Sequence, residues 1–331
     1  MKLEQHVDLT QYNSFSVSAV AEHFCQIQSE SDILEARDYA RHHNLPITIL
    51  GGGSNVVLRS ELPGLCLLMD LKGVEVQGTT IHMNAGEIWH EIVHLSLDHD
   101  LCGIENLALI PGQVGAAPIQ NIGAYGVELS EYVRLVRGIE MNSGEPFEFD
   151  QASCEFAYRD SIFKRDVKNQ YLITSLMLDL STEFIPRLDY QGIRDITGEN
   201  TTARDVCYAV TRLRQSKLPD PDVVGNAGSF FKNPVLSKLD FLALKQRVKN
   251  LTGHRQSDGY KVSAGFLIEY CGLKGLTVGG ARVSDLHALV IENSGSATGQ
   301  DVLDLASAVQ ERVATEFDLD LEIEPRVIPA T

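Results

Sequence analysis

The spacing of apolar positions along this chain switches between a helical and an extended period, and each switch marks a new helix or strand. Apolar side chains from Val206 to Leu213 recur at i, i+3, i+4 and i+7, which predicts a helix beginning after Thr202. This helix should end at Lys217, because prolines occupy two of the next four positions and cannot continue it. We therefore place a domain boundary at this point.

The same criteria predict helices and strands along the whole chain, so the expected fold class is α+β. Ser31 stands directly before an apolar helical stretch and is the expected N-cap of the first helix. Helices are predicted over residues 32–44, 87–100, 203–217, 263–271 and 300–317, and strands over 46–50, 56–58, 65–69, 74–76, 80–83, 133–141, 171–180, 288–292 and 319–323. The part after the boundary is a second, smaller α+β domain.

Composition narrows the class of protein. The 331 residues are enough for two or three domains with complete cores. The formal net charge of −17 argues against nucleic acid as a partner, because a phosphate backbone would be repelled. No apolar run reaches the ~20 residues of a membrane span, and the first residues lack the apolar stretch of a signal peptide. The six cysteines include no Cys-x-x-Cys pair, which favours reduced thiols in the cytoplasm.

A long segment rich in small residues is the strongest local feature. It reads GIENLALIPGQVGAAPIQNIGAYG over residues 103–126. Gly112, Gly115 and Gly123 let the backbone approach a ligand closely, and Tyr125 adds a ring with a hydroxyl. Such a segment suits a large flat ligand that carries a diphosphate. A buried glycine-rich connection without a ligand has the same composition, so this segment alone leaves both possibilities open.

A second glycine cluster favours the ligand. The predicted strand 46–50 runs directly into GGGSN at 51–55, and the β-branched residues 56–57 follow. Backbone N–H groups in such a turn can form an anion-binding concavity. The cluster is not a Walker A loop, because no Gly-Lys-Ser/Thr follows, and it does not open a helix as GxGxxG does. A strand–GGGSN–strand unit is the phosphate loop of one class of flavoproteins.

Five motifs in one order carry a specific resemblance. They are GGGSN at 51–55, IPGQVGAAPIQNIGAYG at 110–126, YRDSIF at 158–163, KLPDP at 217–221 and GNAGSFFKNP at 225–234. With this series the chain resembles the UDP-N-acetylenolpyruvoylglucosamine reductase family, FAD enzymes of bacterial peptidoglycan precursor synthesis. The resemblance extends from Asn13 to Arg326.

The resemblance implies a domain organisation. We expect a two-part FAD-binding domain of the PCMH/vanillyl-alcohol-oxidase type and a smaller α+β substrate-binding domain. The first FAD-binding subdomain would span 1–64, with a strand from 318–331 returning near it. The second would span 65–216, and the substrate-binding domain 217–317.

The resemblance also implies a reaction. NADPH would reduce non-covalently bound FAD, and hydride would then pass to C3 of an enolpyruvyl ether on UDP-N-acetylglucosamine, giving UDP-N-acetylmuramate. An oxidase with the same FAD fold, acting on another substrate, is the alternative. The family further implies a monomer in the bacterial cytoplasm that serves cell-wall synthesis, and with it cell shape and division.

Three residues are implied in the chemistry. Hydride addition at C3 places negative charge on C2 and the neighbouring carboxylate, so the site needs a cation and a proton donor. By family position Arg159 would polarise the carboxylate, Ser229 would protonate C2, and Glu324 would act with Arg159. Alternation places Glu322 on the same face as Glu324, so periodicity does not separate the two acids, whereas alignment with the family selects Glu324.

Two of these residues have ordinary structural alternatives. Ser229 could simply bond local backbone, as loop serines commonly do. Arg159 could be the salt-bridge partner of Asp160 or Glu155, which lie close to it in sequence. The sequence leaves these alternatives open.

The binding residues are likewise carried over from the family. Those implied for FAD are Gly51, Gly52, Gly53, Ser54, Asn55, Gly112, Gly115, Ala116, Pro118, Ile119 and Gly123. Those implied for the UDP-sugar are Tyr190, Lys217, Asn233 and Tyr125, with Lys232 and His287 as weaker candidates. The family often has serine at positions 116 and 117, where this chain has alanine, so backbone N–H groups would have to replace the hydroxyl contacts.

One motif points to different chemistry. His90, Glu91 and His94 match HExxH, which on a helix can bind zinc for a hydrolase. No third ligand follows at a recognised spacing, so we predict no metal. A zinc hydrolase would also leave the two glycine segments unexplained. A nucleotide-sugar binding protein, which needs Lys217 and Tyr190 but no flavin, is a further alternative, and a yellow colour of the purified protein would count against it.

Overall fold

The computed structural model describes residues 1–167, 169–190, 192–198, 200–256 and 259–329. The chain divides into two compact units, each built from segments that are distant in sequence. Unit 1 comprises Met1–Val7, Ala21–Gly53 and Pro63–Ser216, and unit 2 comprises Asp8–Val20, Ser54–Leu62 and Lys217–Thr331. Among the described residues, no helix combines the length and apolar character that a bilayer span requires.

Strands and helices alternate along the chain. In chain order the strands are β1 Leu3–Asp8, β2 Val20–Ile27, β3 Ile47–Leu50, β4 Val56–Leu58, β5 Glu61–Met69, β6 Val74–Gln77, β7 Thr80–Asn84, β8 Gly123–Ala124, β9 Val127–Glu128, β10 Val133–Glu140, β11 Pro146–Asp150, β12 Tyr171–Asp179, β13 Asn226–Ser229, β14 Val235–Leu236, β15 Gly253–Arg255, β16 Tyr260–Val262, β17 Thr277–Val278, β18 Ala281–Val283, β19 Val290–Asn293 and β20 Arg326–Ile328. The helices are α1 Glu30–His43, α2 Trp89–Asp98, α3 Ile193–Thr197, α4 Ala203–Lys217, α5 Lys238–Arg247, α6 Ala264–Tyr270 and α7 Gly299–Phe317. The predicted α+β class is confirmed.

Unit 1 contains two large sheets, with strand orders β1-β2-β5-β3 and β11-β10-β12-β7-β6, and the two-stranded sheet β8-β9. Helix α1 buries Ile33, Ala36 and Ala40 together with Leu65 and Leu67 of β5. The strands β3 and β5 are parallel, so the GGGSN loop leaves the sheet at the carboxyl end of β3.

A second core of unit 1 anchors the glycine-rich segment. Trp89 of α2, Val206 of α4 and Leu176 of β12 are buried in one cluster with the apolar residues of 103–126. The Trp89 indole Nε1 donates to the Leu107 carbonyl at 3.0 Å. This segment is therefore held between two helices and a sheet rather than exposed as a mobile loop.

Unit 2 is organised around the antiparallel sheet β13-β19-β18-β17. Helix α7 packs on this sheet and buries Val302, Leu305 and Val309, spaced i, i+3 and i+7. A separate parallel pair joins β20 to β4, with Arg326 opposite Val56.

The N-cap of α1 differs from the prediction. The helix begins at Glu30, and its N-cap is Ser29, not Ser31. The Ser29 Oγ accepts from the Asp32 N–H, and the Asp32 carboxylate accepts from the Ser29 N–H at 3.0 Å. This reciprocal capping box is available only to a serine three residues before the acid, which Ser31 is not.

The end of the chain also differs from the prediction. Residues 319–323 were expected to form a strand, but only Ile323 makes a single bridge, opposite Phe231. Leu321 is buried and Glu322 is exposed. The alternation of apolar and acidic residues therefore reflects an extended segment with one buried and one exposed face, not a paired strand. The final strand is β20, and residues 330–331 of the expected returning segment lie outside the described residues.

Replacing Ser29 by alanine should lower the free energy of unfolding by about 1 kcal/mol, because it removes the helix N-cap. Ser31→Ala is the matched control and should change it by less than half as much. Urea denaturation followed by circular dichroism measures both. Equal midpoints for the two variants would contradict the assignment of the cap.

Candidate active site

The two glycine segments of unit 1 meet backbone to backbone. A Cβ atom at Gly52 would lie 3.3 Å from the Gly112 Cα, and one at Gly51 would lie 3.0 Å from the Gln113 Oε1. Gly53 and Gly112 have φ of +62° and +108°, a region that favours glycine. The close approach explains why residues without side chains occupy both segments.

The surface where these two glycine segments meet, which we call the cradle, suits a dinucleotide. The Gln113 Nε2 donates to the Met69 carbonyl at 3.0 Å, and its Oε1 is buried without a hydrogen-bond partner among the described residues. A hydroxyl or amine of bound FAD would satisfy such an acceptor. Ser54 and Asn55 belong to unit 2, where the Asn55 carbonyl accepts from the Arg326 N–H at 3.0 Å.

The rest of the predicted flavin segment is held by the sheet of unit 1. The Gly115 N–H donates to the Ala85 carbonyl at 2.9 Å, and a Cβ at Gly115 would lie 2.6 Å from the Ala85 Cβ. Pro118 is buried, whereas Ala116 and Ile119 are exposed. An exposed apolar side chain on a rigid backbone is a suitable platform for a flat ring.

Arg159 is fixed beside the glycine segment. Its Nη2 donates to the Gly123 carbonyl at 2.7 Å, and its own φ is +55°. The carboxylates of Asp160 and Glu155, the acids expected as alternative partners, lie 3.2 and 3.3 Å from the Arg165 guanidinium. Both acids therefore have a charged partner in Arg165.

Tyr125 and Tyr190 lie together in unit 1. Their ring centroids are 4.6 Å apart at an interplanar angle of 63°. The Asn106 Nδ2 donates at 3.0 Å to the Tyr125 carbonyl and at 3.0 Å to the Arg187 carbonyl, which ties the segment before Tyr190 to the glycine segment. The structure thus brings together two of the four predicted substrate residues.

Arg214 is a residue that sequence analysis missed. It lies on α4, and its Nε donates to the Leu109 carbonyl at 3.1 Å. Burial lowers the pKa of its guanidinium, and the nearby charge of Arg159 acts in the same direction, whereas Tyr125 and Tyr190 oppose it. Arg214 is thus a cation beside the residues expected to bind substrate. Its position one helical turn before Lys217 was the signal available in the sequence.

In unit 2, Ser229 is the last residue of β13, and the start of this strand is backed by residues 14–15. A Cβ at Gly225 would lie 2.2 Å from the Phe15 carbonyl oxygen. The Ser14 Oγ donates to the Asn226 carbonyl at 2.6 Å, and the Asn226 N–H donates to the Ser14 carbonyl at 2.9 Å. The backbone before Ser229 is therefore rigidly held.

The structure distinguishes the two acids that periodicity left together. The Glu324 N–H donates to the Phe230 carbonyl at 2.9 Å, so Glu324 is bonded to the residue after Ser229. The Glu322 carboxylate pairs with Lys232, and its side chain is 68% exposed. The exposed Glu322 carboxylate therefore has a charged partner in Lys232, whose side chain is only 16% exposed.

The remaining predicted substrate residues also lie in unit 2. The Asn233 Oδ1 accepts from the Ala264 N–H at 2.9 Å, which fixes the amide and orients it at the start of α6. Lys217 is exposed. Burial, and secondarily the charge of Lys217, lowers the pKa of His287, so these two residues are electrostatic neighbours.

The HExxH motif lies on α2 as predicted, but its hydrogen bonds do not suit zinc. A metal-bound histidine donates its second ring N–H to an acceptor. The His90 Nδ1 instead accepts from the Leu109 N–H at 2.9 Å, so neutral His90 carries its proton on Nε2, the atom that zinc would need. Among the described residues, no group of three or more potential ligands could hold a metal ion.

Two models of known protein families match the chain. A sequence model described as an FAD binding domain matches residues 21–148, and one described as the UDP-N-acetylenolpyruvoylglucosamine reductase C-terminal domain matches residues 220–328. The first model confirms the expected FAD-binding domain.

Curated relatives match nearly the whole chain. UDP-N-acetylenolpyruvoylglucosamine reductase of Burkholderia lata is 44% identical over 329 residues, covering 96% of this chain and 94% of that protein. The enzyme of the same name from Salmonella typhimurium is 43% identical over 325 residues, covering 97% and 95%.

A solved structure agrees with both. The crystal structure of UDP-N-acetylenolpyruvylglucosamine reductase from Thermus caldophilus matches with a TM-score of 0.73 and 25% identity, covering 99% of this chain and 100% of that one. Given this identity and coverage, the chain belongs to the UDP-N-acetylenolpyruvoylglucosamine reductase family.

Proposed function

We propose that this protein uses NADPH and bound FAD to reduce UDP-N-acetyl-3-O-(1-carboxyvinyl)glucosamine to UDP-N-acetylmuramate, a peptidoglycan precursor. The observation that carries the proposal is the hydrogen-bonded pairing, in unit 2, of the backbone after Ser229 with the segment of Glu324. A hydroxyl and a carboxylate on neighbouring backbone suit proton transfer to a carbanion. The names of the relatives support the same reaction.

FAD, when bound, accepts hydride from NADPH and delivers it to the substrate, while the protein supplies binding, orientation and charge. Backbone N–H groups of the GGGSN loop suit its diphosphate, since the loop directly follows the carboxyl end of β3. The exposed Ala116 and Ile119, with Pro118 buried behind them, suit the flavin ring. The backbone must make the polar contacts there, because Ala116 and Ala117 have no hydroxyl.

Arg159 would stabilise the negative charge that develops on the substrate carboxylate. Its guanidinium is held by the Gly123 carbonyl at 2.7 Å, so it is oriented before substrate arrives. A cation that is already oriented stabilises a developing charge without reorganising during the reaction. A planar guanidinium can also bind a carboxylate in two places.

Ser229 would donate the proton to C2, and Glu324 would act beside it. A serine hydroxyl is a weak acid, so it must be held where the basic carbon forms. The contact between Gly225 and the Phe15 carbonyl, together with φ of +68° at Gly228, holds the chain in one path up to Ser229.

Lys217, Asn233, Tyr190 and Tyr125 would bind the UDP diphosphate. The chain carries a formal net charge of −17, so an anionic substrate needs cations and donors concentrated locally. The donor end of the Asn233 amide suits a phosphate oxygen, because the Oδ1 end already accepts from Ala264. We further propose that the protein acts as a monomer in the bacterial cytoplasm.

An oxidase on the same FAD fold is less well supported. The sequence model that matches residues 220–328 describes the C-terminal domain of the reductases. Ser229 and Glu324 both lie within this matched range.

Addition of NADPH without oxygen should bleach the visible flavin absorption of the purified holoenzyme, and the enolpyruvyl UDP-sugar should then restore it. Anaerobic absorption spectroscopy follows both steps. Bleaching without restoration would mean another electron acceptor. A protein that cannot be loaded with FAD would overturn the proposal.

Ser229→Ala should leave bleaching by NADPH unchanged and slow restoration by the UDP-sugar about 10²- to 10⁴-fold, the usual value of a positioned proton donor. Stopped-flow absorption separates the two steps. Ser307→Ala, an exposed serine of α7, is the control and should match wild type in both. Restoration at the wild-type rate in Ser229→Ala would exclude Ser229 as the donor.

Glu324→Gln should lower kcat for enolpyruvyl reduction at least about tenfold, because it removes the acid while keeping its shape. Glu322→Gln removes the charge of an exposed carboxylate that pairs with Lys232 and should change kcat little, because the proposed chemistry lies at Glu324. Steady-state kinetics on the pair tests the assignment. The reverse ranking would move the chemistry to Glu322.

A further inference from the structure

A run of hydrogen bonds crosses unit 1 from an exposed histidine to Arg214. The Nε2 atoms of His94 and His90 lie 3.2 Å apart. The His90 Nδ1 accepts from the Leu109 N–H at 2.9 Å, and the Leu109 carbonyl accepts from the Arg214 Nε at 3.1 Å. Residue Leu109 is therefore held at its N–H from α2 and at its carbonyl from α4.

Leu109 needs this restraint. Its φ is +56°, in the left-handed region that a branched side chain rarely adopts. Strained backbone of this kind persists only where surrounding contacts determine it, and it concentrates at functional sites. The hydrogen bond between the Leu109 N–H and His90 of α2 thus helps to fix the direction of the Leu109 carbonyl, which accepts from Arg214.

The hydrogen-bond pattern allows one protonation state. Because the His90 Nδ1 accepts, neutral His90 carries its proton on Nε2 and donates to the Nε2 of His94. Adding a proton to His90 Nδ1 would set two donors, this N–H and that of Leu109, against each other. Protonating His94 on Nε2 would set two N–H groups against each other in the same way.

Arg214 connects this run to the residues proposed to bind substrate. Its charge acts on Tyr125, whose pKa burial raises and Arg214 lowers. Arg159 and Tyr190 act on Arg214 in turn. A cation among these residues is suited to an anionic group of the substrate.

We propose that His90 is a positioning residue, which holds Arg214 for binding the anionic UDP-sugar by fixing the Leu109 peptide between them. The inference rests on the proposed function for the identity of the anion. In this proposal His90 does not contact substrate itself, and it acts on Arg214 only through the backbone of Leu109.

The arrangement makes substrate binding depend on pH. Burial lowers the pKa of His90 from its ordinary 6.5, His94 and Arg214 lower it further, and Glu91 opposes them. A depressed histidine pKa means that the neutral, bonded form is complete above pH 6.5 and is lost as the pH falls below it. Solvent reaches the pair directly, because His94 is exposed and lines a cavity of about 210 Å³.

Nitrogen-15 NMR of the histidine rings in the holoenzyme tests the protonation state without reference to activity. His90 should show a protonated Nε2 and a bare Nδ1 at pH 8, and should titrate below the ordinary histidine pKa of 6.5. A protonated Nδ1 on neutral His90, or titration of His90 at or above pH 6.5, would overturn the inference whatever the enzyme catalyses.

Kinetics of three variants tests the positioning. His90→Leu removes the acceptor and should raise KM for the UDP-sugar about tenfold with kcat nearly unchanged, as for loss of a hydrogen bond that orients a binding cation. His90→Asn retains an oxygen near the Nδ1 position and should recover most of this loss. His99→Asn is the control and should follow wild type.

The pH profile separates positioning from a merely structural role. KM of wild type and of His99→Asn should rise as the pH falls below 6.5, whereas KM of His90→Asn should stay flat, since an amide does not titrate. A parallel rise in His90→Asn, or no rescue by it, would contradict the inference. Failure of wild type to bind or reduce the UDP-sugar would instead contradict the proposed function.

Discussion

The close approach of two backbone segments is the constraint on which unit 1 depends. Gly52 and Gly112 come so near that a single Cβ atom would lie 3.3 Å from the opposing Cα. The first segment leaves the parallel pair β3–β5, and the second is anchored in the core under α2 and α4. A shift of either core would therefore open or close the cradle, so the packing of distant helices determines the binding surface.

Unit 2 uses the same device for a different purpose. Gly225 allows the Phe15 carbonyl to approach the strand that leads to Ser229, and a side chain there would meet that oxygen at 2.2 Å. In unit 1 the missing side chain makes room for the backbone of the second glycine segment. In unit 2 it makes room for the segment at Phe15, which holds the backbone that leads to Ser229. Glycine at a functional site thus marks close approach, and only the structure tells which partner approaches.

Sequence predicted those features that depend on neighbouring residues. The helical spacing of α4 and α7 and the glycine runs each carry their signal locally, and the structure contains these elements. The predicted N-cap of α1 was wrong, because Ser29 and Ser31 have the same intrinsic preference for an N-cap position. The reciprocal hydrogen bonds between Ser29 and Asp32 make Ser29 the cap. Arg214 was missed because its position depends on a hydrogen bond to the Leu109 carbonyl, and composition does not show backbone hydrogen bonds.

The parallel pairing of β20 with β4 has a consequence for how the protein is made. Val327 lies opposite Val57, so unit 2 joins residues from the first fifth of the chain to residues near its end. Unit 1 draws on no residue beyond Ser216. During synthesis unit 1 can therefore fold while the rest is still being added, whereas the sheet pairing of unit 2 must wait for nearly the whole chain. The residues proposed for proton transfer, Ser229 and Glu324, are consequently assembled last.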